Sequence, residues 1–534
     1  MGDLSAGAAW AMLAAAVLGT VISAGFIDRV RGRRLIPKPP EVLIERAHAV
    51  LKRLGHEAGG DSAYAFDWDR DDLAYMRGNA SSAALTFFYR QSPRTLVAAN
   101  RDGVVRRDDP PLTVSDMAEV LLDARGRLLS YAAVPPQRES ARESGREPDW
   151  SGLFEEAGLD PATFRRVAPE WAAPADSDRK AAWQGVSTGE NAVPVRVEAA
   201  AYHGRPVWFV VLAPWMRPMR MPDARETASP TPVGQAGVWI LAMAMPLGGV
   251  ILARRNLRLG RGDRKGAFRV ALFIFATYSL ARVLRADHAG ARADEVWLLI
   301  KVLAYPCFWA AQVWLLYMAL EPYARRRWPH MLISWKRLLD GHARDPLVGR
   351  DLLFGMAAGS AVLLMFLVSQ IAPTWLGMPR LTPDYFVHGE TLTAARYVAF
   401  RLFVNQFSGV LYAMVFLFML VLLRVIVRWD WLAMALWCLL VASPMQGENL
   451  AVEWPFGLLR ALALLAVLLR GGLLALAVTL AFYFTMIEMP LTIDLSAWYA
   501  MRALPAVVVM AAVALYGFHT SLAGKPVFGR ALED

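Results

Sequence analysis

The chain has few of the residues on which catalytic and cross-linking chemistry depends. It contains two cysteines and eight histidines among 534 residues. The two cysteines, Cys307 and Cys438, both lie in apolar runs and are far apart in the chain. Their number and spacing exclude a disulfide framework and a CxxC metal or redox site. Charged residues make up 19% of the chain, whereas an average soluble protein has about 25%. This composition argues against a disulfide-rich secreted domain and against an ordinary soluble enzyme.

The motifs of the common enzyme classes are missing as well. The sequence has no HExxH zinc site, no GxxxxGK[ST] phosphate loop, and no kinase set of glycine-rich loop, VAIK-type lysine, HRD and DFG. One GxSxG string surrounds Ser187, but its polar flanks do not form the strand and helix of a nucleophile elbow. We therefore predict no catalytic residue, no metal ion and no cofactor, although an enzyme with an unfamiliar site stays open.

Apolar residues are abundant: the AVILMFWYC set makes up 56% of the chain, and the mean hydropathy is +0.32. Crossing about 30 Å of hydrocarbon takes roughly 20 apolar residues in a helix. The sequence therefore predicts an α-helical multi-pass membrane protein with about ten transmembrane helices. The ten apolar segments are 8–27, 235–253, 267–285, 296–320, 352–372, 397–423, 431–446, 456–469, 471–487 and 503–518.

The stretch 456–487 allows two interpretations, because Arg470, Gly471 and Gly472 interrupt it. It forms either two short helices or one bent helix whose arginine lies in a polar cavity. Two helices place Arg470 on the same side as the other basic loops, so we favour the division.

Residues 36–232 are polar and contain no spanning segment, so we predict an α+β domain there, between an anchor at 1–35 and a membrane domain at 233–534. An amphipathic helix opens at Pro40. Two β-hairpins turn at 123–126 and 203–204. Helix, strand and strand occur twice, which predicts two helix-hairpin halves. This pattern is similar to the small PepSY-like sensor modules, but an unrelated α+β domain also fits.

Lysine and arginine collect in the short loops at 254–269 and 323–350. Short loops rich in these residues stay in the cytoplasm, so we expect the domain at 36–232 to lie on the outer side. The arginines at 29–34 disagree, but long translocated domains follow this rule poorly. The basic residues that give the formal net charge of +10 lie between apolar segments and do not collect on one soluble face. We therefore expect no nucleic-acid partner.

The segment 323–350 has the most specific pattern in the chain. Between Pro329 and Gly341 the apolar residues fall on one helical stripe, with basic residues around it. Such a helix lies naturally in the interface of an anionic leaflet. It either anchors a loop to the cytoplasmic leaflet or docks a cytoplasmic partner. The candidate interface and docking residues are Arg325, Arg326, Arg327, Trp328, Trp335, Lys336 and Arg337.

Polar residues within the apolar segments suggest a second kind of function. Arg401, Asn405, Gln406 and Arg470 are the candidates for an intramembrane polar path. Hydrogen bonding between helices is the commoner use of such residues. No acidic partner appears inside any segment, and Arg460 is expected to snorkel from a helix end. A transporter or lipid-handling membrane protein is therefore the alternative hypothesis.

Three stretches together resemble the membrane-embedded C-terminal region of receptor serine/threonine protein kinases of acidobacterial type. They are LARRNLRLGRGDRKGAFR (252–269), LEPYARRRWPHMLISWKRLLDGHARDPLVGRD (320–351) and LYGFHTSLAGKPVFGRALED (515–534). In that family a kinase domain precedes the first membrane segment, and here only about seven residues do. The resemblance implies a sensor and membrane module of a bacterial inner-membrane protein, without kinase activity. An unknown outer ligand and a separate cytoplasmic kinase or other signalling protein would be its partners.

Overall fold

The structure, a computed structural model, describes residues 4–31, 38–68, 85–138, 147–188, 193–218, 220–221, 247–288, 292–378, 389–442 and 450–526. The helices are α1 (Ala6–Arg31), α2 (Pro40–Arg53), α3 (Ser151–Glu156), α4 (Arg264–Arg285), α5 (Arg292–Arg327), α6 (Ile333–Leu339), α7 (Pro346–Trp375), α8 (Gly389–Thr393), α9 (Ala395–Val427), α10 (Asp430–Ala442), α11 (Leu450–Glu488) and α12 (Ala500–Ser521). The strands are β1 (Asp61–Trp68), β2 (Leu85–Ser92), β3 (Ala118–Asp123), β4 (Leu128–Ala133), β5 (Arg165–Val167), β6 (Arg179–Val186), β7 (Pro194–Tyr202) and β8 (Arg205–Leu212).

Seven helices in the described part are long and apolar enough to cross a membrane: α1, α4, α5, α7, α9, α11 and α12. A chain with several long apolar helices and a separate sheet domain is thereby confirmed, but ten crossings are not. The predicted segment 431–446 corresponds to α10, whose 13 residues span only about 20 Å at 1.5 Å per residue. Most of the predicted segment 235–253 lies outside the described residues. Its last part, from residue 247, belongs to a helical stretch that continues to residue 258.

The sheet domain follows α1 and contains one antiparallel sheet in the order β1-β2-β3-β4-β8-β7-β6-β5. The predicted hairpin turns are present between β3 and β4 and between β7 and β8. Each half of the sheet has four strands, and not the predicted two. Among the extra strands, β2 is buried at every position, and its residues show no alternation of polar and apolar side chains.

The two halves of the sheet domain are related by a local two-fold arrangement. They meet where Tyr131 of β4 pairs with Phe209 of β8. Glu119 lies opposite Ala132 in the first half, and Glu198 lies opposite Val210 in the second. Ala132 and Val210 each follow the central pair by one residue, so the two buried glutamates occupy equivalent positions.

Helix α11 turns sharply at Gly472, where the backbone has φ 74° and ψ −166°. The Arg460 guanidinium carbon lies 5.2 Å from the ring centroid of Phe366, and the Tyr483 ring lies 5.9 Å from the same ring. In a continuous helix, residues 460 and 483 would be about 35 Å apart. The arm at 450–471 and the arm at 473–488 therefore fold back toward each other. We call this turn the Gly472 elbow.

The helices carry the sheet domain at one end and the basic loops at the other. At the far end Arg327 of α5 and Arg424 of α9 both pair with Asp430 of α10. Arg401 and Arg424 both belong to α9, and their separation along it is about 35 Å. Arg401 lies at the end near the sheet domain, where the candidate site described next is found.

Candidate functional site

The sheet domain is fastened to the helices at two places. In the loop after β2, the carbonyl of Gly103 accepts a 2.7 Å hydrogen bond from the backbone N–H of Asp287, just beyond α4. The Asp287 carboxylate in turn accepts a 2.8 Å bond from the backbone N–H of Val105. At the second place, the backbone N–H of Phe66 in β1 donates to the Thr393 hydroxyl of α8 at 3.2 Å.

Between these two places an aspartate of the sheet domain binds two arginines of α4. Nη1 of Arg282 donates to Oδ1 of Asp102 at 2.7 Å, and its Nη2 donates to the carbonyl of Arg101 at 2.5 Å. Nη1 of Arg285 lies 3.6 Å from Oδ2 of the same aspartate. The Arg282 side chain is only 4% exposed, so its charge depends on this partner.

The charged contacts continue from α4 into the membrane helices. Nη2 of Arg285 donates to Oε1 of Glu390 at 2.6 Å, and Arg401 of α9 reaches the other oxygen of Glu390 at 3.2 Å. Arg401 also lies 3.2 Å from Glu488, the last residue of α11. Nδ2 of Asn405 donates to Glu488 at 2.7 Å. We call Asp102, Arg282, Arg285, Glu390, Arg401, Asn405 and Glu488 the interdomain charge network.

Aromatic rings hold the guanidinium groups of this network in place. The guanidinium carbons of Arg285 and Arg401 lie 5.0 Å and 5.3 Å from the ring centroid of Phe400. The guanidinium carbon of Arg282 lies 5.4 Å from the ring centroid of Tyr305 in α5. Such cation–π contacts strengthen when the cation is removed from water. The rings therefore restrict the arginines to one arrangement in which each meets its carboxylate.

The electrostatic environment keeps Asp102 ionised. Burial works to raise its pKa, but the hydrogen bond from Arg282 and the positive charges of Arg285 and Arg101 outweigh burial and bring the pKa below its ordinary value. The network contains three carboxylates and three guanidiniums, so its formal charges balance. It can transmit a displacement or a change of charge from one domain to the other, because its inner members each contact two others. These members are Asp102, Arg285, Glu390, Arg401 and Glu488.

The four candidate intramembrane residues do not form one path. Arg401 and Asn405 belong to the network, and they have the acidic partners that sequence reasoning did not find. Nε2 of Gln406 is buried and has no hydrogen-bond partner in the described structure. Arg470 is exposed at the elbow, at the end with the basic loops.

The predicted docking residues lie on a segment that packs against the elbow. The chain forms a 3-10 turn at Pro329–Leu332 and then α6, and not one continuous amphipathic helix. Trp335, expected at the membrane interface, is 5% exposed, and Met331 is fully buried. The Met331 backbone approaches the elbow closely because Gly472 has no Cβ, and Met331 is buried there.

The basic members of this segment remain accessible, although most of them have acidic neighbours. Arg325, Arg326, Arg327, Lys336 and Arg337 are exposed, and Trp328 is half-buried. Arg325 pairs with Glu321, and Arg337 pairs with Asp345 at 2.7 Å. The Arg337 bond also brings the pKa of Asp345 below its ordinary value, against the opposing effect of burial.

Sequence reasoning missed Asp102, Arg282, Arg285 and Glu390. Each lies outside an apolar segment or at its end, where a charge is expected on topological grounds alone. Among the described residues, no group of three or more histidine, cysteine, aspartate or glutamate side chains is arranged to hold a metal ion. Comparison with protein-family models, with curated proteins and with solved structures found no match for this chain.

Proposed function

We propose that this protein is a receptor-like, signal-transducing membrane protein of a bacterial inner membrane, with the sheet domain on the outer side. The observation that carries the proposal is the interdomain charge network. It joins a loop of the sheet domain to α4, α8, α9 and α11 through side chains that are mostly buried. A domain that served only as a tether would not need shared carboxylates running into the bundle.

The proposed orientation rests on the distribution of basic residues. Arg326, Lys336, Arg344, Arg428 and Arg470 all lie at the end away from the sheet domain, and none forms an ion pair within the described residues. By the positive-inside rule that end faces the cytoplasm. The sheet domain then meets the periplasm or the cell exterior.

The arm at 473–488 provides the proposed route through the membrane. At its outer end Glu488 holds Arg401 and Asn405. At its inner end the elbow contacts the backbone of Met331. Met331 belongs to the segment 323–350, which carries the predicted docking residues and is called the docking segment here. An outer ligand would shift this arm only by the difference between its affinities for two arrangements of the network. The docking segment would present the result to a cytoplasmic partner.

The proposed partner is a separate cytoplasmic kinase or another signalling protein, as the resemblance of residues 252–269, 320–351 and 515–534 suggests. The anionic cytoplasmic leaflet would share the same basic surface. The chain itself would be the sensing and transmitting component, without catalysis of its own.

The test measures whether a substitution at Asp102 changes the accessibility of the docking segment. Asp102→Asn removes the charge shared by Arg282 and Arg285, and Asp108→Asn, on an exposed residue of the same loop, is the matched control. Both are made in a chain with Cys307 and Cys438 replaced by alanine and Lys336 by cysteine. In proteoliposomes we expect Asp102→Asn to change the rate of thiol modification at position 336 several-fold.

The control Asp108→Asn should leave that rate unchanged. Equal rates for Asp102→Asn and its parent, with both proteins folded, would show that the network does not couple the two ends. The receptor proposal would then fail.

A further inference from the structure

Arg460 lies in the middle of an apolar arm, and not near its end as the sequence suggested. It follows Leu450 by ten residues and precedes Arg470 by ten, which places its backbone about 15 Å from each end of the arm. An arginine side chain cannot cover that distance to reach water. The chain therefore places a positive charge at membrane depth.

The surroundings of Arg460 do not neutralise this charge. Its guanidinium lies over the ring of Phe366 in α7, with the carbon 5.2 Å from the ring centroid. No hydrogen bond or ion pair to Arg460 occurs within the described part of the chain. One turn beyond Phe366, on the same face of α7, the buried Oε1 of Gln370 also has no hydrogen-bond partner there.

One face of the arm that carries Arg460 is apolar and points outward. Leu459 is 47% exposed and Leu462 is 54% exposed, and both lie on the same outward face of the arm, to one side of the half-buried Arg460. A cation without an anionic partner among the described residues, with accessible leucines on the neighbouring outward face, fits an anionic head with a hydrocarbon tail. A small soluble anion has no use for the leucines and no route through the hydrocarbon.

We propose that Arg460 binds the carboxylate or phosphate of a membrane amphiphile, whose acyl chain lies along Leu459 and Leu462. An anion here forms a charge-assisted hydrogen bond with the guanidinium in a medium of low dielectric constant. It also removes the cost of an unpaired arginine in hydrocarbon. The site is separate from the interdomain charge network, and the proposal does not depend on the receptor function.

The experiment uses the full chain in nanodiscs of phosphatidylcholine. The probe is palmitic acid with a terminal diazirine, used at alkaline pH, and its methyl ester is the uncharged control. After photolysis, labelled peptides from 450–471 and α7 are quantified. We expect the acid to label these peptides on the order of tenfold more than the ester at equal concentration, the ratio expected for one charge-assisted bond.

Arg460→Gln should abolish that preference, whereas Arg460→Lys should keep most of it. Arg470→Gln, which removes an exposed arginine of the same helix, should label like the parent. Adding phosphatidylglycerol separates the two sources of the anion: competition identifies a phospholipid phosphate as a ligand, and its absence identifies a carboxylate. Equal labelling by acid and ester, or unchanged labelling of a folded Arg460→Gln, would overturn the proposal.

Discussion

Asp102 and Arg282 are 180 positions apart in the chain, yet their side chains meet at 2.7 Å between Oδ1 and Nη1. The aspartate belongs to a loop of the sheet domain and the arginine to the end of a membrane helix. Because the arginine is almost completely buried, the pair depends on both domains being in place. The contact therefore makes the position of the sheet domain part of the energetics of the helix bundle.

The stabilisation from Asp102 should depend on pH in a defined range. Its pKa in the folded protein lies below the ordinary value of 3.8. Its contribution is therefore complete above that value and is lost as the pH falls through the folded pKa. We expect Asp102→Asn to lower the free energy of unfolding by about 2 kcal/mol at neutral pH, as for a hydrogen bond to a charged group.

Unfolding of the parent and of Asp102→Asn is followed between pH 7 and pH 3. The difference between them should be constant down to about pH 5 and shrink below pH 3.8. A difference that grows on acidification would contradict the assignment of an ionised, arginine-bound carboxylate.

Gly472 should tolerate alanine much less well than Gly341, another glycine with a positive φ. At Gly472 the φ of 74° disfavours any side chain, and a Cβ would also overlap the Met331 carbonyl. Gly341, with φ 90°, has nothing within 4 Å of an added Cβ. We expect Gly341→Ala to cost about 1 kcal/mol through the backbone alone and Gly472→Ala about 3 kcal/mol.

Thermal unfolding of the two alanine variants in the same detergent measures this difference. Cysteine accessibility at Lys336 should rise in Gly472→Ala, because the docking segment is displaced, and should stay at the parent level in Gly341→Ala. Equal losses of stability would mean that the elbow does not contact the segment.

The two equivalent glutamates of the sheet domain should differ in their contribution to stability. Glu119 lies 3.7 Å from the fully buried Arg90 and 2.7 Å from Arg107. Glu198 pairs with Arg196, which is 17% exposed and has a second acidic neighbour, Glu170. Glu119→Gln leaves the buried guanidinium of Arg90 without its carboxylate partner. It should therefore lower the free energy of unfolding by about 3 kcal/mol.

Glu198→Gln should cost about 1 kcal/mol, because Arg196 keeps water and Glu170 as alternatives. Hydrogen exchange of the sheet amides in the full chain reports on both variants. The prediction fails if Glu198→Gln exposes the sheet as much as Glu119→Gln does.

The orientation of the chain can be read from single cysteines in a background free of Cys307 and Cys438. A thiol at the exposed Ser151 of the sheet domain should react with an impermeant reagent in intact cells. A thiol at Arg344, in the docking segment, should react only after the membrane is opened. The reverse pattern would place the basic loops outside and remove the basis of the proposed signalling direction.

Much of the architecture could be predicted because it follows from local pattern. The helix that begins at Pro40 buries Leu43, Ala47, Val50 and Leu51 on one face, as the helical spacing predicts. The hairpin after Tyr202 is predicted by His203 and Gly204, whose positive φ angles suit a tight turn. Strand β2 could not be predicted in this way, since it is buried at every position although it contains Thr86, Arg90 and Gln91.

The candidate site was predicted only in part. Arg401 and Asn405 were recognisable because polar residues are rare in apolar segments. Their partners Glu390 and Glu488 lie at segment ends, where a charge is unremarkable. The apolar segment that begins at 456 predicts Arg460 near a helix end, but the helix extends back to Leu450, so Arg460 lies well inside it.

The sequence by itself determined that this is a chain of long apolar helices with one polar domain and basic loops, because hydrophobic length and loop charge are properties of contiguous residues. Only the tertiary structure decided which charges meet, that α11 folds back at Gly472, and that the apolar stripe of the docking segment is buried against the elbow. These depend on contacts between residues far apart in the chain, and a linear pattern of residue types does not specify which helix faces pack together.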